Sequence, residues 1–128
     1  MITPQQMAEG FALNLRIIQM QTEGLTHEDS LAKTQYKINS LNWVLGHIAV
    51  NRDNLLRLLN VEPLMDEHQA SRYQRGSEPV SGASEDTLRL DELLDILRRG
   101  QEKISVGLTS LRSCCIPCGV LPLHPIDR

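Results

Sequence analysis

Aromatic side chains are scarce in this sequence: one Trp, two Tyr and one Phe make up 3% of 128 residues. The core therefore has to be aliphatic, built from Leu, Ile and Val. No apolar run approaches the roughly 20 residues that a bilayer-spanning helix needs. Met1 to Glu9 is polar, with no basic segment leading into an apolar one, so it is not a secretory signal and the expected location is cytoplasmic. A dense Lys/Arg block is missing and the formal net charge is −3. That removes the electrostatic footprint of a nucleic-acid partner. Cysteine is confined to Cys114, Cys115 and Cys118, too local for a disulfide framework. No segment alternates as a strand does. The absences together point to an all-α fold.

What is present is ordinary globular material, 41% apolar and 23% charged. The spacing predicts three long helices. The first opens at Thr3-Pro4-Gln5-Gln6: Thr3 caps, Pro4 suits the first helical position, and Gln6 completes a capping box. Met7, Phe11, Leu15 and Ile18 recur at helical spacing, widened by Ala8, Ala12 and Ile17, until Gly24. Residues 25–37 read as a polar connection with an unplaced helical turn.

The second helix runs from about Asn39 to Leu59. At about 100° per residue, Asn42, Gly46, Ala49, Asp53 and Arg57 share one narrow side, expected to face water with an Asp53–Arg57 pair. The rest of the circumference is apolar, so this helix is expected to touch more than one neighbour. Arg52 falls near the apolar centre and is expected to snorkel. Residues 60–87, with Pro63, Gly76, Pro79 and Gly82, read as a long irregular stretch. The third helix spans about Leu88 to Leu111, with Leu90, Leu93, Leu97, Ile104, Leu108 and Leu111 on one stripe and Gly100 as a weak point. Pro117, Pro122 and Pro125 stop any helix in the tail.

Two motifs carry a resemblance. Ser40-Leu41-Asn42-Trp43-Val44-Leu45-Gly46-His47-Ile48 with the trailing Leu55-Leu56-Arg57-Leu58-Leu59 is similar to the second helix of the DinB-like superfamily. Arg72-Tyr73-Gln74-Arg75-Gly76-Ser77-Glu78-Pro79 resembles that family's following loop, and Leu90 to Leu97 its next helix. The resemblance covers roughly residues 1–112 and leaves 113–128 as an irregular Cys/Pro-rich tail. It implies an up-and-down four-helix bundle, here with three long helices and the fourth missing or replaced by the tail. It also implies a divalent metal (Zn, Ni, Fe or Mn) held by three His, and metal-dependent thiol-transferase or hydrolase-like chemistry on a small-molecule substrate. His47 matches the ligand on the second helix. The fourth helix's His-x-x-x-His pair has no counterpart in this sequence.

Each candidate has a functional reading and a bland one. His47 is either that first ligand or a buried His satisfied by a backbone or side-chain partner. His27 and His68, beside carboxylates in polar stretches, read as solvated surface residues, with recruitment to a site with His47 as the alternative. Arg72, Tyr73 and Arg75 are candidates to clamp an anionic substrate across the loop; the other reading is an ordinary solvated loop. Cys114, Cys115, Cys118 and His124 admit zinc, redox or an inert tail. A lost helix leaves about 400 Å² of apolar surface wet, forgoing on the order of 10 kcal/mol. A homodimer is therefore expected, and a non-enzymatic helical interaction module is the competing function.

Overall fold

The computed structural model describes residues 1–33, 38–80 and 86–111. Helix is the only regular secondary structure among those residues, in the order α1 (Pro4–Thr22), α2 (His27–Leu31), α3 (Leu41–Leu58), α4 (Glu67–Arg72) and α5 (Leu90–Ser110). The tail with its three Cys and His124 lies outside the described residues, so neither its zinc nor its redox reading meets a structural observation. No described helix is long and apolar enough to cross a membrane.

The N-terminal cap forms as read. Thr3 accepts from the Gln6 amide, the Gln6 side chain accepts from the Thr3 amide, and Pro4 takes the first helical position. Ala8 and Leu15 are buried, whereas Met7 and Ile17 are exposed, so the buried face is narrower than expected. The two connections hold short helices. Thr26 with Asp29 and Asp66 with Gln69 form capping boxes for α2 and α4. Each places a polar side chain on an orphan amide, which is how so short a helix starts.

Helix α5 is the centre of the bundle. It packs along both α3 and α1, while α1 and α3 barely meet. Leu93, Leu97, Ile104 and Leu108 are sealed in this seam; Leu111 at the end of the expected stripe is exposed. Gln101 reaches the Ala8 carbonyl from α5, and Gln19 and Thr22 border Leu94 and Arg98, so α1 runs antiparallel to α5. Asn42 bonds to the Leu88 carbonyl, Arg52 to Gln101, and Leu59 lies against Gly107, so α3 runs parallel to α5. Strict up-and-down alternation is thus replaced by a parallel pair joined by the long crossover that carries α4. Parallel neighbours cannot be linked by a tight turn, which accounts for that connection's length.

The facing of α3 is the main correction. Asn42, Ala49 and Asp53 are 0%, 1% and 2% exposed, and Gly46 is buried with them; of the stripe expected to face water, only Arg57 does so. Each polar member is buried because a remote backbone group meets it. Asn42 donates Nδ2 to the Leu88 carbonyl at 2.8 Å. The Asp53 carboxylate accepts from the Leu64 and Met65 amides at 3.0 and 2.8 Å, closing the turn after α3, and it does not pair with Arg57. Arg57 donates instead to Asn54. The water-facing side carries Val44 and Leu58. Arg52 does not snorkel: it is buried, bonded to Gln101 and to the Phe11 carbonyl.

Candidate functional site

The two motifs meet on one side of α3. Ser40 caps the helix through the Trp43 amide, which sets the register of Trp43 and His47 one turn apart. Their rings stack, with centroids 4.8 Å apart and planes 11° from parallel. Gly46, between them in sequence, faces the loop after α4. A Cβ there would fall inside the Tyr73 ring, so glycine is what lets Tyr73 lie flat on α3. Helix interiors disfavour Gly by about 1 kcal/mol relative to Ala, and this close approach is the compensation.

From that seat Tyr73 organises the neighbourhood. Its ring is fully buried. Its hydroxyl donates to Asn42 Oδ1 at 3.0 Å and accepts from the Leu88 amide at 2.9 Å. Burial raises the phenol's pKa above its ordinary value, outweighing the lowering by the Leu88 amide. The Tyr73 carbonyl lies 2.9 Å from His47 Nδ1. A carbonyl only accepts, so Nδ1 carries the proton and the Nε2 lone pair is left available. Trp43 Nε1 donates to Ser77 Oγ at 2.9 Å, and Arg72 donates to the carbonyls of Glu78 and Pro79 at 2.6 and 3.3 Å. The loop is tied to α3 at three places and to itself at a fourth.

His47 is half-buried and borders a cleft of about 600 Å³ between α3 and the α4 turn. Asn51, Asn54, Glu67, Gln74 and Arg75 also line it. Neither Arg57 nor Arg75 forms an ion pair among the described residues. Of the residues read from the sequence as a site, His47 and Arg75 therefore share this cleft. Tyr73 is in the core beneath it and Arg72 is spent on loop carbonyls. His68 is exposed, 3.5 Å from Asp86. His27 is half-buried, not solvated: its Nδ1 accepts the first amide of α5, Leu90, at 3.2 Å. It ties α2 to α5 and is far from free to join His47.

Sequence reasoning missed Asn42, whose side chain joins Tyr73 to the start of α5, and the cleft residues Asn51 and Gln74. Asn51 sits one turn beyond His47, and that i,i+4 relation was the available signal. Among the described residues no group of three His, Cys, Asp or Glu is placed to hold a metal ion. The donors in the cleft, one imidazole and one carboxylate among amides, do not fit a three-histidine centre. Compared with models of known families, with curated proteins and with solved structures, the chain matches none.

Proposed function

We propose that this chain is a DinB-like helical-bundle domain in which His47 keeps the first-ligand position while the metal centre is incomplete. Its cleft then serves a small ligand carrying an anionic group for Arg75 and a hydroxyl or thiol for His47. The observation that carries this reading is the His47 Nδ1 bond to the Tyr73 carbonyl. It fixes the tautomer and aims the chemistry of the ring through Nε2, as a carbonyl bonded to the other ring nitrogen of a ligating histidine does. The interlock of the two motifs, through Gly46 against Tyr73 and Trp43 with Ser77, supports the resemblance they carry. Among the described residues the donors do not complete a metal centre.

Imidazole ¹⁵N NMR of the full chain tests the tautomer, and equilibrium dialysis against Zn²⁺ and Ni²⁺ tests the centre. The expected result is a protonated Nδ1 with weak metal uptake that His47→Ala abolishes. A protonated Nε2 refutes the assigned role of His47; stoichiometric, tight metal binding refutes the incomplete centre.

A second reading, the interaction module, draws support from the outer face of α3, where Val44 is 39% and Leu58 82% exposed. Apolar residues left wet along a helix favour self-association. Sedimentation equilibrium is expected to give a homodimer that Leu58→Lys weakens. A well-folded monomer at micromolar concentration removes this reading.

A further inference from the structure

A buried cation lies on the other side of α3. Arg52 is 5% exposed, and no carboxylate is within ion-pair distance of it among the described residues. The one acid on α1, Glu9, accepts from Gln5, and the one acid on α3, Asp53, is taken by two amides. Arg52 donates Nη1 to Gln101 Oε1 at 2.8 Å and Nη2 to the Phe11 carbonyl at 2.9 Å, and its guanidinium lies 5.4 Å from the centre of the Phe11 ring. A guanidinium has five N–H groups, so donors remain. No fully buried polar side-chain atom among the described residues lacks a partner, so the unbonded Nε is at an accessible edge. Buried charges are ordinarily paired.

Arg52 also lines a groove between α1 and α3. The groove holds about 460 Å³, and Arg52 lines it together with Phe11, Ile17, Ile18 and Ile48. An apolar concavity with a single charged group is the usual make-up of a site for a small amphiphile, and about 300–1,000 Å³ is its usual size. A three-turn helix, about 10 Å across and 16 Å long, would displace roughly 1,200 Å³, more than the groove offers.

We propose that this groove binds a medium-chain aliphatic monocarboxylate, its carboxylate on Arg52 and its hydrocarbon between Ile17, Ile18 and Ile48. The headgroup supplies the missing counter-charge through charge-assisted hydrogen bonds. The chain covers side chains that the bundle leaves partly wet. This site is separate from the His47 cleft and does not rest on the function proposed for it.

Calorimetric titration of the full chain with octanoate, 1-octanol and octylammonium tests it, with amide chemical-shift mapping to locate the ligand. Octanoate is expected to bind at least about tenfold tighter than 1-octanol, the ratio given by a hydrogen bond to a charged group. Octylammonium is expected not to bind, and shifts should centre on Phe11, Ile17 and Ile48. Arg52→Met should erase the preference for octanoate. Ile17→Glu, at a position already 43% exposed, should block octanoate without touching the buried cation. His47→Ala should leave octanoate binding unchanged. Equal affinity for octanoate and 1-octanol in the unaltered chain, no saturable binding, or shifts confined to other faces would overturn the proposal. So would a self-association through this groove that Ile17→Glu abolishes and octanoate does not compete with.

Discussion

Gly46→Ala sets two effects of opposite sign against each other at one atom. In an open helix the change should stabilise by about 0.8–1 kcal/mol, because Ala orders at a smaller entropic loss. At Gly46 the new Cβ would land inside the Tyr73 ring, which has no exposed surface through which to retreat. Overpacking of that kind costs about 1–3 kcal/mol. If the ring shifts, the bonds of its hydroxyl to Asn42 and Leu88 weaken as well, at about 1 kcal/mol each. The net expectation is destabilisation by about 2–4 kcal/mol, a Tm lower by on the order of 10 °C for a domain this size. Gly10→Ala is the internal control. Gly10 lies inside α1 with nothing within 4 Å of its would-be Cβ, so it should show the bare propensity gain. Urea unfolding followed by Trp43 fluorescence reads both, since the single Trp stacks on His47 beside the altered contact. In a Tyr73→Ala background the Gly46→Ala penalty should vanish or reverse. Stabilisation by Gly46→Ala in the parent, comparable to that of Gly10→Ala, would show that Tyr73 does not lie on α3.

Asp53→Ala should destabilise by about 2–4 kcal/mol in urea unfolding, because two amides after α3 lose a buried acceptor. Tyr73→Phe should cost about 1–2 kcal/mol at pH 7 by orphaning Asn42 Oδ1 and the Leu88 amide. It should also remove an alkaline loss of stability. Burial raises this phenol's pKa, so above about pH 10 the unfolded chain releases a proton that the folded chain keeps. Stability thus falls as pH rises from there, and a variant without the hydroxyl should lose that limb in a thermal-melt series. Asp95 has its pKa lowered first by the hydrogen bond from Arg98 and then by Arg99. Its contribution is present above the ordinary carboxylate value and is lost as pH falls through the lowered one. Asp95→Asn should flatten the acid limb slightly, and added salt should shrink the difference because the group is exposed.

The long helices were legible because their signals are local. Thr3-Pro4-Gln5-Gln6 states a helix start by itself, and the leucine stripe of α5 states both the helix and its buried face. Helices α2 and α4 carried the same kind of signal in Thr26-His27-Glu28-Asp29 and Asp66-Glu67-His68-Gln69. Polar surroundings outweighed it at α2, and Pro63, Gly76 and Pro79 outweighed it at α4. The facing of α3 was not legible, because hydropathy ranks Asn42 and Asp53 as water-seeking while their acceptors and donors lie remote in the chain, at Tyr73, Leu88, Leu64 and Met65. Nothing local to residues 42–53 announces those partners. His47 and Arg75 were named together through the resemblance, and they border one cleft. Tyr73, named with them, lies in the core, because a glycine at position 46 opened a slot there that spacing alone does not reveal.

Helix α3 therefore has three working faces. The small and polar face, Asn42, Gly46, Ala49 and Asp53, is spent inside the molecule: it can approach closely because its side chains are short, and it is specific because each polar atom has one remote partner. The His47–Asn51–Asn54 edge borders one cleft, and Ile48 with Arg52 borders another across Asn51. The first opening lies between α3 and the α4 turn; the second lies between α1 and α3, which meet little and share α5 as their neighbour. Closing α1 onto α3 would bury Ile17 and Ile48 and gain apolar contact. It would also seal Arg52 away from water with no carboxylate beside it, at several kcal/mol. A buried cation at the fork thus opposes closure of the bundle. On that argument Arg52→Met should bring α1 toward α3, and a paramagnetic label at Asn14 read at Asn51 would report the shorter distance. An unchanged distance would mean that α5 alone sets the gap.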